Sequence, residues 1–256
     1  MYSRVPTIFM CHSGRERSRT TFAFTSGAQL EVTDRNITDL VVGIEPGVAI
    51  PGRIELNTTV NVDLRNLTLL LSTMDGMPGM LSPTAMVYRS RFIQDDGTFL
   101  IPNAARGRYF LMAVINSGAA YVAAARLGTQ DVLGQPFEIN SDTTGPLIIE
   151  IHGDGGSLEV IVTTRDGAAV ANGQVMLVPP LPFREDQTAY KGSVTDNQGR
   201  FRINAIRPGI YTAYALSQRE EVGAWMNPEF ITPYLPFGVE VNVGRGQALR
   251  RDFMVR

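Results

Sequence analysis

The chain makes nearly the same statement twice. "DDGTFLIPNAARGRYFLMAV" at 95–114 returns as "DNQGRFRINAIRPGIYTAYAL" at 196–216. With Gly97 set on Gly199, Phe99 falls on Phe201, Ile101 on Ile203, Gly107 on Gly209, Tyr109 on Tyr211 and Ala113 on Ala215, without a gap. Phe-x-Ile is period-two alternation, which puts both apolar side chains on one face of a strand. "DDG" and "DNQG" are turn chemistry: Asp and Asn bond their own backbone, and Gly accepts positive φ. Pro208-Gly209 predicts the centre of a type II turn, with Gly209 in the left-handed position. Each copy therefore predicts strand, turn, strand with one buried face. The tyrosine after the turn is placed to anchor the corner through its hydroxyl, as tyrosine corners do in β-sandwiches.

Other segments repeat with the same pattern. "LEVTDRNITDLVVGI" (30–44), "FEINSDTTGPLIIEI" (137–151) and "VEVNVGRGQALRRDFMV" (239–255) each read as strand, polar turn, strand, and "AIPGRIEL" (49–56) pairs with "SLEVIVTT" (157–164). Repeats of this length are domain-sized rather than solenoid units. The 256 residues hold two domains of about a hundred residues, each large enough for its own core. The boundaries predicted are a first module over 38–152 and a second over 153–256, opening at the flexible "GDGGS". Residues 1–37 read as the tail of a preceding module or as an N-terminal hairpin attached to the first complete one; the first reading is preferred, and it makes the chain look like the C-terminal portion of a longer array. "GAAYVAAARLG" (118–128) is predicted as a strand of small residues in preference to a helical turn.

"GxFxIxxxxPGxYxxxA", preceded by "SLEVIVTTRDGAAVANGQVMLVP", resembles the carboxypeptidase regulatory-like domain. "YVAAARLGTQDVLGQPFEI" (121–139) is similar to a segment of tandem acidobacterial secreted proteins of that type. The likeness spans 38–256 and is stronger in the second module, since Arg106 replaces the proline in the first. It implies an all-β chain of two tandem Ig-like, prealbumin-like seven-stranded Greek-key β-sandwiches, a fold grouped with carbohydrate-binding-like domains. It also implies a secreted, periplasmic or cell-surface bacterial location. The motif is structural and hands over no active site.

The residues themselves argue against catalysis. Zinc hydrolases use closely spaced His and Glu, and the only histidines here are His12 and His152, in neither HxxE nor HExxH spacing. His152 reads as a solvated strand end. Cys11-His12 are neighbours, whose side chains point to opposite faces of an extended chain. With two histidines, Ser/His/Asp chemistry is equally unsupported. The acidic turns lack the alternating Asp and distal Glu of a calcium loop. No cofactor and no metal is expected. Of the 23 basic residues one, Lys191, is lysine, which makes it the sole candidate for a Lys–Asn isopeptide crosslink. A net charge of −2 gives no electrostatic case for nucleic acid. No run approaches the roughly 20 apolar residues that span a bilayer.

Three places are candidates for partner contact, each with a packing alternative. Two long loops, "STMDGMPGMLSP" (72–83) and "PPLPFREDQT" (179–188), carry Met77 and Phe183; folding over an open end of the sandwich is the reading preferred for both. "WMNPEFITPYLPF" (225–237) gathers Trp225, Tyr234 and Phe237, a set able to stack on sugar rings or to seal the last module. The function expected is non-catalytic: rigid modules that act as spacers or present loops to a carbohydrate or another surface protein. The alternatives are a carbohydrate-binding module of a secreted enzyme and an accessory domain of a peptidase.

Overall fold

The computed structural model describes residues 47–59, 61–73, 86–89 and 93–255. Residues 1–37, the Cys11-His12 pair, the repeat at 30–44 and Met77 lie outside them. In the first half, β1 (Val48–Asn57), β4 (Thr98–Ala104), β6 (Tyr121–Leu127), β7 (Gln130–Asp131) and β9 (Leu147–His152) form one sheet, in the order β4-β1-β9-β6-β7. The facing sheet takes β2 (Leu67–Thr73), β3 (Met86–Arg89), β5 (Gly107–Ile115) and β8 (Phe137–Ile139), in the order β3-β2-β5-β8. Ile54, Ile101 and Ile149 from the first sheet and Leu69, Leu111 and Ile139 from the second fill the space between them.

The second half repeats the plan. One sheet runs β13-β10-β16, from β10 (Gly156–Thr163), β13 (Arg200–Ile206) and β16 (Ala248–Met254). The other runs β12-β11-β14-β15, from β11 (Gln174–Val178), β12 (Lys191–Val194), β14 (Gly209–Leu216) and β15 (Val239–Val243). Its core joins Leu158, Val160 and Ile203 to Val175, Leu177, Ala213 and Val241. Among the described residues, the first and last strands of each half run parallel: β1 along β9, and β10 along β16.

The repeat in the sequence is a repeat in register. Gly52 faces Phe99 and Ile50 faces Ile101 across β1 and β4; Val160 faces Phe201 and Leu158 faces Ile203 across β10 and β13. A register irregularity falls at the same place, between Val48 and Ile50 and between Gly156 and Leu158. Both corner tyrosines close alike: the Tyr109 hydroxyl donates to the Ala105 carbonyl and the Tyr211 hydroxyl to the Arg207 carbonyl, each at 2.9 Å.

Three local expectations need correction. Gly209 is not in the left-handed region; in that corner Ala205 is, at φ 54°, so the turn is not the type II turn that Pro-Gly suggested. His152 is not solvated: it is 6% exposed, with Nε2 2.6 Å from Glu150 Oε1 and its ring against Tyr121. Among the described residues the first half has nine strands rather than seven, because 118–131 forms β6 and β7 and widens the sheet beyond β9.

The second half departs at the equivalent connection, between β14 and β15. Residues there form two short helices, α1 (Val222–Met226) and α2 (Pro228–Ile231), and a 3-10 turn over Thr232–Phe237. They fold onto the outer face of the sheet, where Met176, Val178, Tyr190 and Tyr214 meet Trp225 and Ile231. This is why all five residues of β11, Gln174-Val-Met-Leu-Val178, are buried: a strand covered on both faces loses alternation and reads as a continuous apolar run.

The two hairpin glycines do have positive φ, 81° at Gly97 and 70° at Gly199. A Cβ at Gly97 would lie 3.2 Å from the Ile54 carbonyl oxygen, whereas one at Gly199 would overlap the Val162 carbonyl oxygen outright. Gly97→Ala should cost about 1–3 kcal/mol, the usual penalty for a side chain in this region. Gly199→Ala should exceed it by at least about 1 kcal/mol, since a backbone clash adds to the same φ penalty. Urea titrations of the two variants check the order.

Candidate functional site

Polar and charged side chains converge where the two halves meet. Three stretches build the joint: the link from β9 to β10, the loop 179–190 between β11 and β12, and the corner from β13 to β14. Gly155 is one close approach of the halves. A Cβ there would stand 2.5 Å from the Ala119 carbonyl oxygen and 3.0 Å from Ala205 Cα. Its N–H donates to Ala119 at 3.0 Å, and Gly246 N–H donates to the Asp154 carbonyl at 2.6 Å. The glycine-rich link is therefore tied on both sides and does not act as a free tether.

Phe183 comes from the second half but packs on the core of the first. Its ring fills the space where Gly134 would carry a Cβ. The Arg207 guanidinium lies over the same ring, 4.5 Å from its centroid, and Nη2 donates to the Val122 carbonyl of β6 at 2.5 Å. One arginine thus clamps an aromatic plug and reaches across to the strand that the first half adds to its sheet. Tyr121, also on β6, donates its hydroxyl to Asp154 Oδ1 at 3.2 Å, and Arg245 approaches Asp154 Oδ2 at 3.7 Å.

Behind this clamp lies a cavity of about 50 Å³. Tyr121 and Val122 line it from the first half, and Asp186, Lys191, Arg207 and Tyr211 from the second. Asp186 is 2% exposed. Its Oδ1 accepts from Thr188 N at 2.9 Å and from Thr188 Oγ1 at 2.6 Å, which fixes the carboxylate on its own loop. Burial still pushes the Asp186 carboxyl up from the usual range, and burial pushes the Lys191 ammonium and the Arg207 guanidinium down. Burial is also the main cause that pushes Tyr121 and Tyr211 up to about 12, so both phenols stay protonated at neutral pH.

Only part of this was expected from the sequence. Phe183 was singled out as a contact residue, and its contact is with the chain's own first half. Trp225 is 1% exposed: Tyr214, Phe230 and Tyr234 surround it, and its Nε1 donates to Gln174 Oε1 at 3.3 Å. A sugar would have to displace Phe230 and Tyr234 to reach its ring. Tyr234 is half-buried in the same cluster, while Phe237 is 50% exposed. Lys191 and Arg207 were missed as a pair. The one available signal was that Lys191 is the chain's sole lysine. Among the described residues no group of three or more His, Cys, Asp or Glu is placed to hold a metal ion, and no helix is long and apolar enough to cross a membrane.

No family model matches the chain, and no curated protein does. Solved structures do give matches. The Bacillus anthracis TIE protein matches at 13% identity over 81% of this chain, with a TM-score of 0.27. This chain spans 33% of the TIE protein chain. The structure of a streptococcal ancillary pilin matches at 10% identity over 98% of this chain and 76% of its own, with a TM-score of 0.30. A minor pilin of Streptococcus agalactiae matches at 9% identity over 79% of this chain and 94% of its own, with a TM-score of 0.31. Identities and scores this low carry no functional inference; the fold assignment rests on the sheets and registers described above.

Proposed function

We propose that this chain is a non-catalytic structural segment of a secreted or cell-surface bacterial protein, in which two β-sandwich domains, 38–152 and 153–256, act as a spacer of fixed geometry. The observation that carries the reading is the joint. A plain tether needs only the glycines of 153–156; here Phe183, Arg207, the Gly155 bond to Ala119 and the Tyr121 bond to Asp154 hold the halves together across the chain. Such a joint maintains an angle, which a spacer needs and a hinge avoids. The resemblance to carboxypeptidase regulatory-like domains belongs to this reading, since the residues that carry it are the strand and corner residues of β13 and β14. The carbohydrate-binding alternative is not favoured, because Trp225, its central residue, is buried.

Paired spin labels at Ser141 and Arg219, both exposed, one in each half, test the proposal by pulsed dipolar spectroscopy. The native chain should give one narrow distance distribution. Phe183→Ala with Arg207→Ala should broaden it at least about twofold, as expected when a packed inter-domain contact is lost and relative domain motion returns. A native distribution as broad as that of the double variant would sink the fixed-spacer reading.

A further inference from the structure

We propose that the cavity in the joint binds a small oxyanion, held by Lys191 and Arg207. The site goes beyond the spacer reading and stands or falls separately, because it rests on the chemistry of the cavity wall.

Three charged side chains line the cavity: Lys191, Arg207 and Asp186. The carboxylate gives Oδ1 to Thr188, and among the described residues no ion pair joins it to Lys191 or Arg207, although its charge acts on both. Among the described residues no hydrogen bond or ion pair holds the Lys191 ammonium. Arg207 uses Nη2 toward Val122 and its face toward Phe183, which leaves Nε and Nη1 unbonded out of the five N–H groups a guanidinium carries. Neither cation is sealed from access, since the one buried side-chain atom without a partner among the described residues is Asn103 Nδ2. Two half-buried cations whose donors open onto a shared space are only partly compensated by a single carboxylate.

An oxyanion supplies what is missing. Its oxygens accept charge-assisted bonds from an ammonium and a guanidinium at once, and it balances the excess positive charge in a partly desolvated site. About 50 Å³ is room for several waters or one small anion of phosphate size. The Tyr121 and Tyr211 hydroxyls are already donated, to Asp154 and to the Arg207 carbonyl, so recognition falls to the two cations. Lys191 also stands out by residue type, being the one lysine among 23 basic residues: a compact ammonium with three rotatable donors sits in the cavity of a chain that otherwise uses arginine.

Isothermal titration of the whole chain with inorganic phosphate, sulfate and acetate at matched ionic strength tests the proposal. The three arms separate tetrahedral anions from carboxylates. The expected result is saturable binding of at least one of them at one site per chain. Lys191→Gln should weaken it at least tenfold, in keeping with the loss of a hydrogen bond to a charged group, and Arg202→Gln on the exposed face should leave it unchanged. A second readout needs no variant. Lys191 carries the only side-chain amine, so its rate of modification by an amine-reactive reagent should fall at saturating ligand. No saturable binding of any of the three, equal affinity in Lys191→Gln, or an unchanged modification rate would overturn the site.

Discussion

Trp225→Ala should destabilise the second half by about 3–5 kcal/mol, the range for deleting a fully buried large aromatic. The indole is 1% exposed and contacts Tyr214, Phe230 and Tyr234. Alanine would open a cavity beneath α1 and α2, two helices of five and four residues that are too short to persist without tertiary packing. The outer faces of β11 and β14 would then be exposed with them. Gln174 would lose one bond, from the indole N–H, and keep its bonds to Glu220 N and Glu220 O. A surface aromatic would behave differently, with a change within about 0.5 kcal/mol. Urea unfolding followed by far-ultraviolet circular dichroism separates the two outcomes, and a shift of that smaller size would mean that the indole faces solvent.

Leu111→Ala should cost about 2–5 kcal/mol in the first half. Leu111 is fully buried at the centre of β5, opposite Leu71 and bridged to Leu133. The chain holds one tryptophan, and it lies in the second half, so its fluorescence reports that half alone. If the two cores are separate cooperative units, the dichroism of Leu111→Ala should show early loss of the first half while the Trp225 fluorescence transition moves far less. Equal displacement of both signals would make the chain one cooperative unit and refute the division into two domains.

The sequence carried the frame and hid the departures from it. Phe99 and Phe201 pair with Gly52 and Val160 at corresponding points of the ladder because alternation and turn glycines act over a few residues and repeat with the chain. The corner tyrosines were legible for the same reason. Sealing of the last module by the Trp225 segment was legible as one reading; the surface it covers, the outer face of β11 some fifty residues earlier, was not. One clue existed: "VMLV" (175–178) is continuously apolar, and a strand with one wet face would alternate. His152 misled because its burial comes from Tyr121 and Glu150 on neighbouring positions of the sheet. The joint was least legible. Arg207 reaches Val122 over a separation of 85 residues, and a lone arginine before Pro-Gly announces no partner.

The parallel alignment of the first and last strands in each half bears on how the chain responds to a pull. In both halves the polypeptide comes in at one pole and goes out at the other. Tension applied through its ends then tries to slide β1 along β9, or β10 along β16, so the rungs of each ladder share the load simultaneously. Strands peeled apart from one end would give way rung by rung at far lower force. A chain wired in this way is suited to bearing mechanical load along its length.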